Sequence, residues 1–231
     1  MESQKVTTND FAKARRWYQD ACGTALAMDL IGERWSLLIV RELLLGARRF
    51  GEIRGALEGL SANVLTQRLE GLEKAGIIRR KQLPSPVNAQ VYELTKWGAA
   101  LEEPIFALSR WAAGSPAHDV RLPLSNGAFM LSLKTMMARA PVRELSIDLG
   151  FRVGGEPFRA AIVDGGLVIE RRDPIGAEVI FQGQPTLLAA TFYGPLPLTE
   201  SIQEGRVSVI GDLTLGQRFV DLFGLPRFEN D

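Results

Sequence analysis

In the stretch LSANVLTQRLEGLEKAG, residues 60–76, two side-chain amides, Asn63 and Gln67, stand four positions apart with Thr66 beside them. An Asn or Gln amide offers a donor and an acceptor side by side, which matches adenine N6 and N7 in a DNA major groove, and a threonine methyl can touch that of thymine. On a helix, groups four apart share a face. At about 100° per residue, Ala62, Val64, Leu65, Leu69, Leu72 and Ala75 form one apolar arc, while Asn63, Thr66, Gln67, Glu70 and Lys74 gather opposite it. A merely solvated face is usually a run of long charges, and this one is not. Ser61 stands where an N-cap would start such a helix.

Other chemistry is thinly represented. One cysteine, Cys22, and one histidine, His118, cannot supply a Cys/His zinc site, and no intramolecular disulfide can form. His118 lies in GSPAHD, a connector-like run, and reads as solvated. GARRFG and GFRVGG lack the strand before and helix after that a phosphate loop requires. No catalytic residue, metal or cofactor is therefore expected, and the chain is read as not an enzyme.

Several elements must position the amide-bearing helix. Residues 25–30 and 35–45 are apolar beyond one face, which predicts two helices covered from several sides, the second ended by Gly46. FGEIRGAL, residues 50–57, reads as a short third helix with Phe50, Ile53 and Leu57 on one side, and EGLS as a tight turn. Helix, tight turn and amide-bearing helix make a helix-turn-helix plan. IIRRKQLPSPVNAQVYELT then reads as strand, Pro-rich turn and strand, hence a wing. Arg79, Arg80 and Lys81 on its first strand, with Arg48 and Arg49 ahead of the third helix, group cations suited to phosphate contacts.

The whole chain carries 27 Lys+Arg and 27 Asp+Glu, so charge alone does not announce a polyanion partner. Residues 1–115 hold 16 basic against 13 acidic groups and the remainder 11 against 14, a mild asymmetry. No apolar run approaches the roughly 20 residues that cross a bilayer, and the start MESQKVTTND lacks a signal peptide's apolar core. A cytoplasmic protein without membrane contact is expected. At 231 residues two domains are the prior, and AAGSPAHDVRLPLSNG reads as the connector, giving domains 1–116 and 117–231.

In order along the chain, Cys22, ALAMDLIGERWSLLIVRELLLGARRFGEIRGAL, LSANVLTQRLEGLEKAGII and YELTKWG resemble the pattern of HxlR-type winged helix-turn-helix transcriptional regulators, over about residues 20–112. The resemblance implies a homodimer on a double-stranded DNA operator, with dimer contacts from the N-terminal segment and from the helix KWGAALEEPIFALSRW. Two positions depart from the pattern. Asn63 stands where relatives often have a basic residue, and Ala89 where an arginine often marks the wing tip, which shifts weight from the wing tip to the helix. Arg68 matches the motif but projects onto the flank of the apolar arc, where an internal pairing is expected. Cys22 coincides with a position at which some relatives sense oxidants or electrophiles through a thiolate, with Arg15, Arg16 and Arg34 near in sequence; its alternative is a half-buried small residue.

The second half changes period. Residues 129–138 show a helical stripe of Phe129, Leu133, Met136 and Met137. Leu145, Ile147, Leu149, Phe151 and Val153 then alternate against Ser146, Asp148, Gly150 and Arg152, as in a strand. FRAAIVD, an Asp164-Gly165-Gly166 turn, LVIERR, AEVIFQG and GRVSVIGD supply further strands, with helices at 185–192, 198–204 and 213–223. The reading is an α+β fold, a five-stranded antiparallel sheet with helices on one face. GQPTLLAATFYG and ESIQEGRVSVIGDLTLGQRFVDLFGL resemble the sterol carrier protein fold over about residues 125–225, which implies a tunnel for an apolar effector. Met130, Met136, Met137, Phe181, Phe192, Phe219 and Phe223 are its candidate lining, against the plainer reading of a filled core. Two rivals to an effector-controlled repressor stay open: a thiol sensor acting through Cys22, and a lipid carrier whose winged helix only dimerises.

Overall fold

The computed structural model describes residues 18–137 and 147–226. The chain divides into two compact units, the first comprising residues 1–40 and 47–99 and the second residues 41–46 and 100–231.

The first unit contains α1 (Gly23–Ile31), most of α2 (Ser36–Leu43), α3 (Phe50–Ala56), α4 (Ala62–Lys74), the hairpin of β1 (Ile78–Gln82) and β2 (Gln90–Leu94), and the single turn α5 (Lys96–Ala99). Its core is Ile39, Val40, Ile53, Leu57, Leu65, Leu69, Leu72, Ile77 and Ile78, each nearly or fully buried. That is the apolar arc of α4 joined to the inward sides of α2, α3 and β1. The hairpin gains a third partner: the Arg48 N–H donates to the Tyr92 carbonyl at 3.0 Å, and the Tyr92 N–H returns a bond to Arg48 at 2.8 Å. The Thr95 hydroxyl ties the base of the hairpin by donating to the Gly76 carbonyl at 2.7 Å while accepting from the Gly98 N–H at 3.0 Å.

Three expectations for this half need correction. Helix α1 is not covered from several sides, since only Ile31 is buried and Leu26 and Met28 remain 43% and 41% exposed. Helix α2 starts at Ser36, because Trp35 adopts a left-handed backbone (φ 79°), and it ends at Leu43, ahead of Gly46 at φ 113°. The helix expected after the wing is broken into α5 and α6 (Glu102–Ala113). Pro104 accounts for the break, because its ring would clash with the carbonyl of Ala100 in a continuous helix.

The second unit contains α6, α7 (Asn126–Met136), β3 (Asp148–Val153), β4 (Glu156–Val163), β5 (Gly166–Glu170), β6 (Val179–Gly183), α8 (Pro185–Tyr193), α9 (Leu198–Gln203), β7 (Ser208–Gly211) and α10 (Leu213–Val220). The five strands lie in the order β5-β4-β3-β6-β7. The expected fully antiparallel sheet is corrected here: β3 pairs with β6 in parallel, and the other three pairings are antiparallel, so the sheet is mixed. Parallel neighbours need a crossover, and residues 171–178 provide it across one face of the sheet. Gly150 permits this, since a Cβ there would lie 2.5 Å from Pro174 Cβ and 3.3 Å from that of Ala177. Arg159 secures the crossover by hydrogen bonding both to the Asp148 carboxylate and to the Ile175 carbonyl.

The opposite face buries Leu149, Phe151, Val153, Phe158, Ala160, Ile162, Leu167, Ile169, Val179 and Phe181, in register across four strands. Helices α7, α8 and α10 contact strands of this sheet. Of the expected strand and helix residues, Leu145, Ser146 and Ala138 lie outside the described residues. A polar cluster accompanies this core. The Ser125 hydroxyl caps α7, accepting from the Ala128 N–H at 3.0 Å and donating at 2.7 Å to fully buried Glu42, which Arg41 also contacts at 2.9 Å. Glu156 receives hydrogen bonds from Arg171 Nε at 2.7 Å and Asn126 Nδ2 at 3.3 Å.

Phe151 lies at the centre of the aromatic core, 5.3 Å from Phe181 and about 6 Å from Phe129, Phe192 and Phe219. Truncating Phe151→Ala should cost about 3–5 kcal/mol through lost burial and the cavity left behind. Denaturant unfolding should show that loss in the transition of the second unit; a loss below about 1 kcal/mol would mean that the rings are loosely packed.

Candidate nucleic-acid interface

Helix α4 presents two chemically different sides. Leu65, Leu69 and Leu72 are buried, whereas Asn63, Thr66, Gln67, Glu70 and Lys74 are exposed. Ser61 caps the helix, its hydroxyl accepting from the Val64 N–H at 3.3 Å. The amides of Asn63 and Gln67 thus stand on the open side, one turn apart. The Thr66 hydroxyl donates to the Ala62 carbonyl at 3.0 Å, which leaves its methyl as the group available for an outside contact. Arg68 is drawn inward, with Nη2 at 2.9 Å from a Glu33 carboxylate oxygen, the internal pairing expected of its flank position.

The basic residues divide into two sets. On one face of the hairpin, Arg79 Nε donates to Glu93 Oε1 at 2.7 Å and Lys81 Nζ lies 3.3 Å from Glu93 Oε2. Arg79 and Glu93 are directly opposite in the strand register, and Lys81 is the diagonal neighbour. Partial burial pushes the Glu93 carboxyl up, but the hydrogen bonds from Arg79 and Lys81 outweigh it and hold the pKa below the ordinary glutamate value. On the other face, Arg80 pairs with Glu73 of α4 at 2.9 Å and lies over the Tyr92 ring at 6.0 Å. Arg48 is largely covered, 11% of its side chain exposed, with Nε 3.9 Å from Glu52. Among the described residues, Arg49, Arg54 and Lys74 make no ion pair, and all three are exposed. Arg54 was not singled out in the sequence; it lies on the flank of the Phe50, Ile53 and Leu57 stripe of α3, and its exposure there is a finding of the structure. Glu93 was also passed over, because its link to Arg79 depends on strand register.

Cys22 is exposed at the N-cap of α1. The backbone N–H of Thr24, then the Thr24 hydroxyl and the Ala25 N–H, stabilise its thiolate and lower the thiol pKa. Arg15 and Arg16 lie outside the described residues. His118 is exposed, with its ring 3.2 Å from the Ala113 carbonyl.

The candidate effector residues fall largely within the aromatic core of the second unit. Phe181, Phe192, Phe219 and Phe223 form one ring cluster with centroid separations of 5.0–6.1 Å. Phe129 and Phe151 belong to the same cluster and were missing from the sequence-based set. Met130 is fully buried, and Met136, Met137 and Phe223 are half-exposed. Met137 and Phe223 meet through a backbone bridge, and the Tyr193 and Ser132 hydroxyls are 2.6 Å apart nearby, with burial raising the tyrosine pKa.

Comparison with known proteins adds the family. Residues 30–118 match the model of the HxlR-like helix-turn-helix family. YvaP, an HTH-type transcriptional regulator of Bacillus subtilis, is 44% identical over 87 residues, which are 37% of this chain and 80% of that protein. YodB, an HTH-type transcriptional regulator of the same organism, is 36% identical over 86 residues, 37% of this chain and 77% of YodB. A solved structure of YodB in its reduced form aligns with a TM-score of 0.39 at 32% identity, covering 43% of this chain and all of that one. The family match takes in the whole of α2 to α6, including the amide-bearing helix and the wing. Through residues 30–118, this chain belongs to the HxlR-like helix-turn-helix family of transcriptional regulators.

Proposed function

We propose that the chain is a homodimeric, sequence-specific repressor that reads a pseudo-palindromic operator through the exposed side of α4 and answers to an apolar effector held in its C-terminal half. The observation that carries this reading is the exposure of Asn63, Thr66 and Gln67 on a helix whose opposite side is buried. Such a helix can enter a major groove without unfolding anything. Family membership supports DNA as the partner, and a two-fold protein calls for two half-sites about one helical turn apart. Repression then follows from occupancy of the operator. Replacing Asn63 or Gln67 with Ala should cost about 1–3 kcal/mol on the preferred operator and little on random DNA. Anisotropy titrations on both duplexes decide the point; equal losses on the two would mean that α4 is not the reading element.

Dimerisation is supported by apolar side chains left in the open. In the first unit these are Leu26 and Met28 of α1; in the second, Leu108 and Trp111 of α6, the latter 71% exposed. Single exposed apolar residues are ordinary, but an i, i+3 pair on one helix suits a partner surface. Replacing Trp111 with Glu should shift the protein to monomer at micromolar concentration and weaken operator binding at least tenfold, as read by sedimentation and anisotropy. An unchanged mass and affinity would remove α6 from the interface.

We place the functional boundary at residues 116/117, close to where the family match ends, and assign the C-terminal part to a sterol carrier protein-like fold. The five-stranded sheet with helices on its apolar face supports that assignment, and the half-exposed trio Met136, Met137 and Phe223 at the border of the ring cluster supports entry of a ligand there. A guest would occupy space that the rings fill, so uptake should part the cluster and shift the two operator-reading helices by linkage. Titrating long-chain and aromatic compounds while following operator affinity tests the coupling, and indifference across the panel would sink it.

A second reading is favoured by one observation, the exposed, thiolate-favouring position of Cys22. In it, oxidants or electrophiles modify Cys22 and release DNA. A lowered pKa means that more thiolate is present at neutral pH than an ordinary cysteine supplies, so alkylation should proceed with a midpoint below the ordinary thiol value. The Cys22→Ser protein should keep its operator affinity and lose the response to oxidant; a retained response would exclude the thiol as sensor.

A further inference from the structure

All three cations of the wing strand are already engaged by carboxylates of the protein. Arg79 contacts Glu93 through Nε at 2.7 Å and Nη2 at 2.6 Å, Lys81 contacts the other Glu93 oxygen at 3.3 Å, and Arg80 contacts Glu73 at 2.9 Å. Arg79 and Lys81 are otherwise open to solvent, 66% and 51% exposed, whereas Glu93 is 17% exposed and sits between them. One carboxylate thus spans two cations on a single face of the hairpin and cuts their combined charge from two to one.

Stabilising the hairpin is the plainer role for such a group. Exposed pairs of this kind add little to stability, and the hairpin has other supports: five paired positions, the Arg48–Tyr92 bridge and the Thr95 ties. The arrangement has a larger consequence for anything that must be gripped through Arg79 and Lys81. A phosphate approaching either cation meets an oxygen anion already holding it, and Glu93 stays nearby after exchange and repels the strand.

We propose that Glu93 is an intramolecular competitor for DNA phosphates, which keeps the wing a weak clamp and leaves affinity to the fit of α4 and to the cations without a protein counter-charge. The proposal rests on the DNA-binding reading above and deepens it by assigning an affinity-setting role to an acidic residue. It also separates two classes of basic residue. Arg49 and Lys74 should act as full phosphate contacts, while Arg79 and Lys81 act as attenuated ones.

The test uses the full-length protein and a labelled duplex of random sequence, titrated over a series of salt concentrations. Gln at position 93 keeps an oxygen to accept from Arg79, so the hairpin stays folded while the negative charge is removed. Glu93→Gln should tighten binding about three- to tenfold at low salt. It should also steepen the slope of log affinity against log salt by about one unit. Glu93→Asp, which retains the charge, should behave like the parent. Arg79→Gln should weaken binding more in the Glu93→Gln background than in the parent, since a competitor masks Arg79 and a simple sum of charges would not. No gain from Glu93→Gln, or a loss, with an unchanged circular dichroism spectrum would overturn the proposal and make Glu93 a positioning group for Arg79. A parent protein that binds neither random nor operator DNA would instead overturn the DNA-binding reading, and this one with it.

Discussion

The division of α4 into a buried leucine side and an open amide side is the constraint on which the rest of the first unit depends. Leu65, Leu69 and Leu72 anchor the helix in a core shared with Ile39, Ile53 and Ile78, so its orientation is fixed by the hydrophobic effect rather than by any polar contact. Once that side is fixed, the opposite side has no choice but to face outward. Asn63, Thr66 and Gln67 occur on a rigid element, which is what base-edge contacts require, because each such contact depends on donor and acceptor holding their places to within a fraction of an ångström. Ser61 and the left-handed Gly59 (φ 82°) shape the turn that delivers the chain to this helix.

Electrostatics refine what packing has set. The first unit is not simply basic: Arg68 is drawn to Glu33, Arg80 to Glu73, and Arg79 and Lys81 to Glu93. Charge counted along the chain therefore overstates what a phosphate backbone would meet. Arg49, Arg54 and Lys74, three of the described cations that make no ion pair, lie on or beside α3 and α4 rather than on β1. The wing is accordingly a mechanical extension of the core, tied by Thr95 and by Arg48, more than a reservoir of positive charge.

The second unit rests on a different physical basis. Six phenylalanines form one contiguous cluster on one side of the sheet, five of them with no more than trace exposure and Phe223 half-exposed at the border. The mutual edge and stacked contacts leave each ring with aromatic neighbours in several directions. On the other side, the crossover between β5 and β6 runs over Gly150 and is clipped by Arg159. The same glycine that reads in the sequence as one member of an alternating strand is thus the site of closest approach by another segment. Period-two patterning identified the strand, but nothing in it indicated which segment would cross there.

Much was legible in the residues because short-range physics writes itself locally. The limits of α4, the hairpin, five strands in the second half and the helices at 185, 198 and 213 follow from apolar spacing, caps and glycines, and the structure places each within a few residues of its expected position. Arg68's inward pairing was legible too, from its angle on the helix. What the chain could not disclose are relations between segments distant in sequence: the parallel β3–β6 pairing, the openness of α1, and the capture of Arg79 and Lys81 by Glu93; the break between α5 and α6, by contrast, was written locally in Pro104 and passed over. The local pattern determines which side of each element is apolar, since that depends only on neighbours a turn or a pleat away. Tertiary structure alone decides which element meets that side and which charge faces which, because register and crossover are set by the summed burial of the whole unit.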